Sequence, residues 1–274
     1  MTSRDGGPGI RLHATPKGDV LFGMYDANHK PRVTICAMTT HPAIDLRDER
    51  GEARLSFVLK TDGDGNMSFL NSKGRTVIMA GPGEGKNIGP FFRMTDSEGS
   101  ARVTISVSGN SEPSISLTGP DGKSLGMFSI GANGNGLTFY DAEANPRGAL
   151  GIGPTGTPEL CFFSDLGKKR ISIANTPNLT GMVINDSNEA VRIHVSVDTD
   201  ERPMLAVIDP SGACRVKVTV LPDGSPSISL HDAEGRHGLL LTSRADGPGF
   251  TLSDAAGKPR ALLTLGPEGP SLIL

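Results

Sequence analysis

The chain has 274 residues and a net charge of −3, which excludes bulk electrostatic attraction to nucleic acids. Its 36 glycines and 20 prolines predict many turns, and the absence of tryptophan disfavours binding modes that depend on aromatic stacking. The first residues lack a signal-peptide pattern, and no apolar run approaches the ~18 residues of a membrane span. We therefore predict a cytoplasmic protein with no transmembrane segment and no nucleic-acid partner.

A turn signature of the form Asp-x-x-Gly recurs along the chain. It is clearest where the pattern of residues 227–235 returns in residues 249–257. We call the first residue of each turn its anchor, and the anchors are about 23 residues apart. The eleven anchors are Asp26, Asp48, Asn71, Asp96, Gly119, Asp141, Ser164, Asp186, Asp209, Asp232 and Asp254.

Apolar residues alternate with small or polar ones on both sides of each anchor. They occupy positions two and four before every anchor, and positions seven and nine after most of them. Phe22 and Met24 precede the first anchor, and Val33 and Ile35 follow it. This period-two pattern predicts two strands, each with one buried face, joined as a β-hairpin. No stretch has the apolar spacing and caps of a helix, so we expect an all-β fold.

An arginine recurs six positions after most anchors. Aspartate can accept hydrogen bonds from the backbone of its own turn, and glycine tolerates the positive φ that such a turn requires. A tight turn would return the arginine to its aspartate, so we predict a local ion pair. The alternative interpretation is a set of ligand-binding residues for an anionic small molecule, lipid headgroup or polyanion. The eight are Arg32, Arg54, Arg102, Arg147, Arg170, Arg192, Arg215 and Arg260.

The register continues to both ends of the chain. An anchor extrapolated to Ser3 places Ile10 and Leu12 on a second strand, and Leu272 and Leu274 fit a first strand. Together the ends would supply a twelfth unit, and pairing them would remove a bare apolar edge. We therefore predict one domain over residues 1–274, a closed ring of twelve β-hairpin repeats. A two-sheet β-solenoid and a six-bladed propeller are the alternatives.

These tandem Asp-x-x-Gly hairpins, with an arginine three residues after the glycine, resemble the β-flower proteins, which are closed rings of β-hairpins related to the Tubby-type barrel. Their turns are also similar to those of YD-repeat shell proteins, although only Tyr25-Asp26 and Tyr140-Asp141 match the repeated Tyr-Asp pair. The resemblance implies an architecture, and it implies no catalytic residues.

Familiar chemical motifs fail in detail. Residues 60–66 resemble a calcium loop but have Met67 where that loop needs glycine and Lys73 where it needs glutamate. Residues 81–87 resemble a phosphate loop but are one residue short. We expect Cys36 and Cys161 to be packing residues. We predict no enzyme, no metal site and no cofactor, and we favour a structural or interaction module whose partner is an unknown protein or small molecule.

Overall fold

The computed structural model describes residues 8–16, 18–38, 41–83, 88–132 and 134–274. Within these residues the chain forms 24 strands of one antiparallel sheet and no helix. The prediction of an all-β repeat array is therefore confirmed. No helix with the length and apolarity to cross a membrane occurs in the part of the chain that the structure describes.

Two compact units divide the chain. The first comprises Met1–Ala132 with Ala142–Ala144, and the second comprises Asn133–Asp141 with Asn145–Leu274. The strands of the first unit are β1 (Gly9–Ala14), β2 (Val20–Tyr25), β3 (Pro31–Ala37), β4 (Ala43–Arg47), β5 (Ala53–Leu59), β6 (Gly65–Leu70), β7 (Thr76–Gly81), β8 (Ile88–Thr95), β9 (Ala101–Ser108), β10 (Pro113–Thr118) and β11 (Ser124–Gly131). The strands of the second unit are β12 (Gly134–Tyr140), β13 (Pro146–Ile152), β14 (Pro158–Phe163), β15 (Lys169–Asn175), β16 (Leu179–Asn185), β17 (Val191–Asp198), β18 (Pro203–Ile208), β19 (Cys214–Val220), β20 (Pro226–His231), β21 (His237–Arg244), β22 (Gly247–Ser253), β23 (Pro259–Gly266) and β24 (Gly269–Ile273). The single domain over residues 1–274 stays a prediction.

Within each unit, every strand pairs with the next strand along the chain. The predicted register holds, since Met24 pairs with Val33 and Phe22 with Ile35 across the first complete hairpin. Each anchor N–H donates to the carbonyl four residues on, as between Asp96 and Ser100 at 3.0 Å. The residue three after the anchor has positive φ, as Gly99 does at 92°. Local turn chemistry therefore fixes the hairpin register.

The register aligns the apolar residues of successive strands on one side of the sheet, which we call the apolar face. Each unit has two rows of such residues. One row runs across all strands of its unit, and the other contains a glycine, Gly126 in the first unit and Gly148 in the second. One row of the second unit contains Leu137, Leu150, Leu160, Ile173, Met182, Val195, Leu205, Val218, Ile228, Leu241, Phe250, Leu263 and Leu272. The first unit has the equivalent row Leu12, Phe22, Ile35, Ile44, Phe57, Met67, Ala80, Phe92, Ile105, Ile115 and Phe128.

The prediction that the apolar face is buried is wrong. Its side chains are half-exposed, as Ile228 (42%) and Leu241 (40%) show. The buried side chains lie on the opposite side, the polar face, and are mostly small: Thr34, Cys36, Cys161, Ser172, Ser196, Ala206, Ser227 and Ser229. Long side chains on neighbouring strands contact some of these residues, as Arg47 does Thr34 and Glu159 does Ser172.

The prediction of a closed ring is also wrong, because the sheet is not closed within the residues that the structure describes. Among the described residues β1 pairs with β2 and β24 pairs with β23, and neither strand has a second strand partner. Ile10 and Leu12 do join the apolar rows as predicted. The proposed anchor at Ser3 and turn glycine Gly6 lie outside the described residues.

Candidate functional site

The recurrent arginines lie beside the turn of their own hairpin. Seven form an ion pair with the anchor aspartate six residues earlier, which agrees with the predicted local pairing. The pairs are Arg32–Asp26, Arg54–Asp48, Arg102–Asp96, Arg147–Asp141, Arg192–Asp186, Arg215–Asp209 and Arg260–Asp254. Arg170 follows a serine anchor, and its Nε donates to the carbonyl of Asn185 at 3.0 Å.

One anchor carboxylate serves both the turn and the arginine. Oδ1 of Asp96 accepts the N–H groups of Glu98 at 2.9 Å and Ser100 at 3.0 Å, while Oδ2 accepts Arg102. The hydrogen bond from the Ser100 N–H, together with that from Arg102, holds the pKa of Asp96 below its ordinary value of 3.8. Both carboxylate oxygens of Asp96 therefore accept hydrogen bonds from its own hairpin.

Several of these arginines also contact the following hairpin. Arg192 Nη1 donates to the carbonyl of the next anchor, Asp209, at 2.5 Å. Arg54 donates in the same way to Asn71, and Arg102 to Gly119. Each such guanidinium links two successive turns, which gives the repeated arginine a structural role. Ligand binding by the eight arginines stays the alternative hypothesis.

A charged cluster on β4 interrupts the small residues of the polar face. Asp45, whose side chain is 13% exposed, accepts hydrogen bonds from Thr34 at 3.2 Å, Ser56 at 2.7 Å and Arg47 at 2.7 Å. Arg47 Nε also donates to Thr34 at 3.2 Å and covers it. Because every partner is satisfied within the cluster, it stabilises the sheet and leaves little capacity for a ligand.

A second cluster surrounds Cys161 on β14. Glu159 accepts hydrogen bonds from Lys169 and Ser172, both at 2.7 Å. Cys161 is 4% exposed, and burial together with the neighbouring Glu159 raises the pKa of its thiol to about 11. A thiol of this kind remains protonated at neutral pH and is a poor nucleophile. This agrees with the predicted packing role of Cys161.

Other motifs behave as ordinary structure. The calcium-like segment is a turn between hairpins, in which Lys60 N–H donates to Asp64 at 2.8 Å and Gly63 has φ of 91°. In the phosphate-loop-like segment, residues 84–87 lie outside the described residues. The rings of His231 and His237 are 4.5 Å apart, but the described residues contain no group of three or more side chains placed to hold a metal ion.

Sequence reasoning missed two charged residues at a position of the repeat that is usually small. The residue three before each anchor is small in most units, as Gly23 and Ser68 are, but it is Asp45 before Asp48 and Arg93 before Asp96. The available signal was a charged residue where the repeat favours a small one. Such departures from the repeat are the places where one hairpin differs chemically from its neighbours.

Comparison with known proteins assigns no family, since no family model and no curated protein matches the chain. Among solved structures, the TCP10 domain of Danio rerio CPAP is 13% identical, with a TM-score of 0.23, over 91% of this chain and 96% of that one. TcdB2-TccC3 is 11% identical, with a TM-score of 0.20, over 96% of this chain and 20% of that one. A putative 6-phosphogluconolactonase from Bacteroides uniformis is 8% identical, with a TM-score of 0.17, over 97% of both chains. These scores are too low to support any functional argument.

Proposed function

We propose that this chain is a non-enzymatic interaction module, and that its interaction surface is the apolar face, covered by the apolar face of a second copy. The observation that carries the proposal is the pair of long apolar rows in each unit, whose large side chains are half-exposed. Contiguous apolar patches of more than a few hundred Å² on a protein surface are typical of interaction sites.

The exposed area of the apolar face and the way in which sheets pack favour a second copy of the chain as the partner. At roughly 60 Å² of exposed surface for each large side chain, about twenty such positions in the second unit alone present about 1,200 Å². A standard stable interface needs roughly 800 Å² from each partner. Two sheets with apolar faces pack at about 10 Å with their strands nearly aligned, and a two-fold axis makes one surface complementary to itself.

The chemistry of the polar face supports a role other than catalysis. The Cys161 thiol has a raised pKa, and its neighbours Glu159 and Lys169 are paired with each other. Seven of the recurrent arginines are paired with the aspartate of their own turn, as Arg192 is with Asp186. Catalysis usually needs an asymmetric set of reactive groups at one cleft, whereas these groups satisfy one another.

Sedimentation velocity over a range of concentrations tests the proposal. We expect the wild type to dimerise, and we expect Leu205→Glu combined with Leu241→Glu to raise the dimer dissociation constant at least about tenfold, because two charges would be buried in the interface. Thr242→Glu combined with Thr251→Glu adds the same charge to the polar face and should leave dimerisation intact.

Circular dichroism of each variant checks that the sheet is retained. A wild type that stays monomeric at every concentration would overturn the proposal. Equal dimerisation of the two double variants would also overturn it, because the interface would then lie elsewhere.

A further inference from the structure

Arg93 on β8 stands where most hairpins have a small residue. It pairs in register with Met79 of β7 and Thr104 of β9, in the middle of the polar face. The other charged residue found at this position in the first unit, Asp45, lies within a complete hydrogen-bonded cluster. Arg93 has no equivalent cluster among the described residues.

The guanidinium of Arg93 lacks a partner among the described residues. Its Nε is buried and makes no hydrogen bond, and no carboxylate of the described chain forms an ion pair with it. Its Cζ lies 5.0 Å from the centre of the Phe91 ring, which supports the flat guanidinium without using its N–H groups. Arginine is always charged in proteins, so a half-buried arginine without a partner leaves donor capacity for an anion.

Arg93 lines a cavity of about 580 Å³ between two neighbouring hairpin turns. Arg75, Thr95, Glu98 and Met79 also line it. Arg75 Nη1 donates to the carbonyl of Ser97 at 2.7 Å and to Glu98 at 3.0 Å. With two arginines and one glutamate, the cavity carries a net positive charge on a chain whose own net charge is negative.

The size and lining of the cavity indicate its ligand. A guanidinium matches a phosphate group through paired N–H···O bonds. A volume of this size holds a small organic molecule rather than a bare ion, and Met79 offers an apolar surface to its body. We propose that the Arg93 cavity binds a phosphate monoester of a compact organic molecule, either free in solution or as a lipid headgroup.

Titration calorimetry with glycerol 3-phosphate tests the free ligand, and co-sedimentation with phosphatidylcholine vesicles, with and without phosphatidic acid, tests the headgroup. We expect the wild type to bind in one of these assays, more weakly as salt rises, and Arg93→Gln to weaken that binding at least about tenfold. Arg192→Gln is the matched control, since it removes a paired arginine from a hairpin that does not line the cavity. It should bind as the wild type does.

Thermal unfolding of Arg93→Met separates binding from structure. If Arg93 serves a ligand, replacing it with an apolar side chain should not lower the melting temperature, because no ion pair is lost. A lowered melting temperature would assign Arg93 a structural role and overturn the proposal. Absence of binding in both assays, or equal binding by Arg93→Gln and wild type, would overturn it as well.

Discussion

The two faces of this sheet bury their residues in different ways. On the polar face, small residues are covered by long side chains from adjacent strands, as Arg47 covers Thr34 and Glu159 contacts Ser172. On the apolar face, side chains of similar size stand side by side, so each shields its neighbours only in part. A single sheet can therefore bury small polar residues while its large apolar ones stay half-exposed.

The largest loss of stability should come from a substitution in the Asp45 cluster on the polar face. Asp45→Ala removes the shared acceptor of Thr34, Ser56 and Arg47 and leaves a partly buried guanidinium without its carboxylate. We expect the free energy of unfolding to fall by about 2–3 kcal/mol. Chemical denaturation measures it, and Ile44→Val, the adjacent change on the apolar face, should cost no more than about 0.5 kcal/mol. Equal losses in the two variants would contradict the contrast between the faces.

A matched pair on β18 tests whether space differs between the faces. Ala206 is 5% exposed on the polar face, and the next residue, Val207, is half-exposed on the apolar face. Ala206→Phe should displace the side chains of neighbouring strands and cost about 1–3 kcal/mol, whereas Val207→Phe should change the free energy of unfolding by about 0.5 kcal/mol or less. Thermal unfolding of dilute samples compares them, and the reverse order would show that the polar face is the more open one.

Lowering the pH should destabilise the fold through protonation of Glu159 on the polar face. Burial of Glu159 opposes its ionisation, but hydrogen bonds from Lys169 and Ser172 outweigh that and hold its pKa below the ordinary 4.5. A lowered folded pKa stabilises the fold above pH 4.5, and the contribution is lost as pH falls through the folded value. The melting-temperature difference between wild type and Glu159→Gln should therefore shrink between about pH 7 and about pH 3. A difference that is constant with pH would mean that the charge of Glu159 does not contribute.

The smallest change in stability should come from a substitution in a turn, which belongs to neither face. Ala144 has φ of 69°, a conformation that glycine adopts at the same place in most other hairpins. Ala144→Gly should raise the free energy of unfolding by about 0.5 kcal/mol, because it removes backbone strain. Differential scanning calorimetry measures the shift in melting temperature. A lowered melting temperature would show that the glycine increases the conformational entropy of the unfolded chain by more than it relieves strain in the turn.

The part of the fold that could be predicted depends on neighbours in the sequence. The turn at Asp96 and the pairing of Met24 with Val33 follow from residues only a few positions apart. Burial could not be predicted in this way, because alternation shows which residues share a face and does not show what covers it. Sheet closure likewise depends on distant strands, and the repeat alone does not determine it.

The Arg93 cavity was hidden from the sequence for a related reason. Arg93 and Glu98 are close in the chain, but Arg75 directly precedes β7, so only the pairing of β7 with β8 brings the three together. The Asp45 cluster likewise joins residues of three strands. The recurrent arginines were easier to interpret, because each has its aspartate six residues away.

The arginine that links one turn to the next has an evolutionary consequence. Arg192 bonds the carbonyl of the following anchor, Asp209, and every hairpin offers a carbonyl at the same place. Excising one segment from anchor to anchor, such as residues 209–231, would bring Asp232 into the place of Asp209 and keep both apolar rows in register. Such a chain can grow or shorten by gene duplication or deletion in steps of one hairpin, since the arginine can bond the carbonyl of whichever anchor follows it.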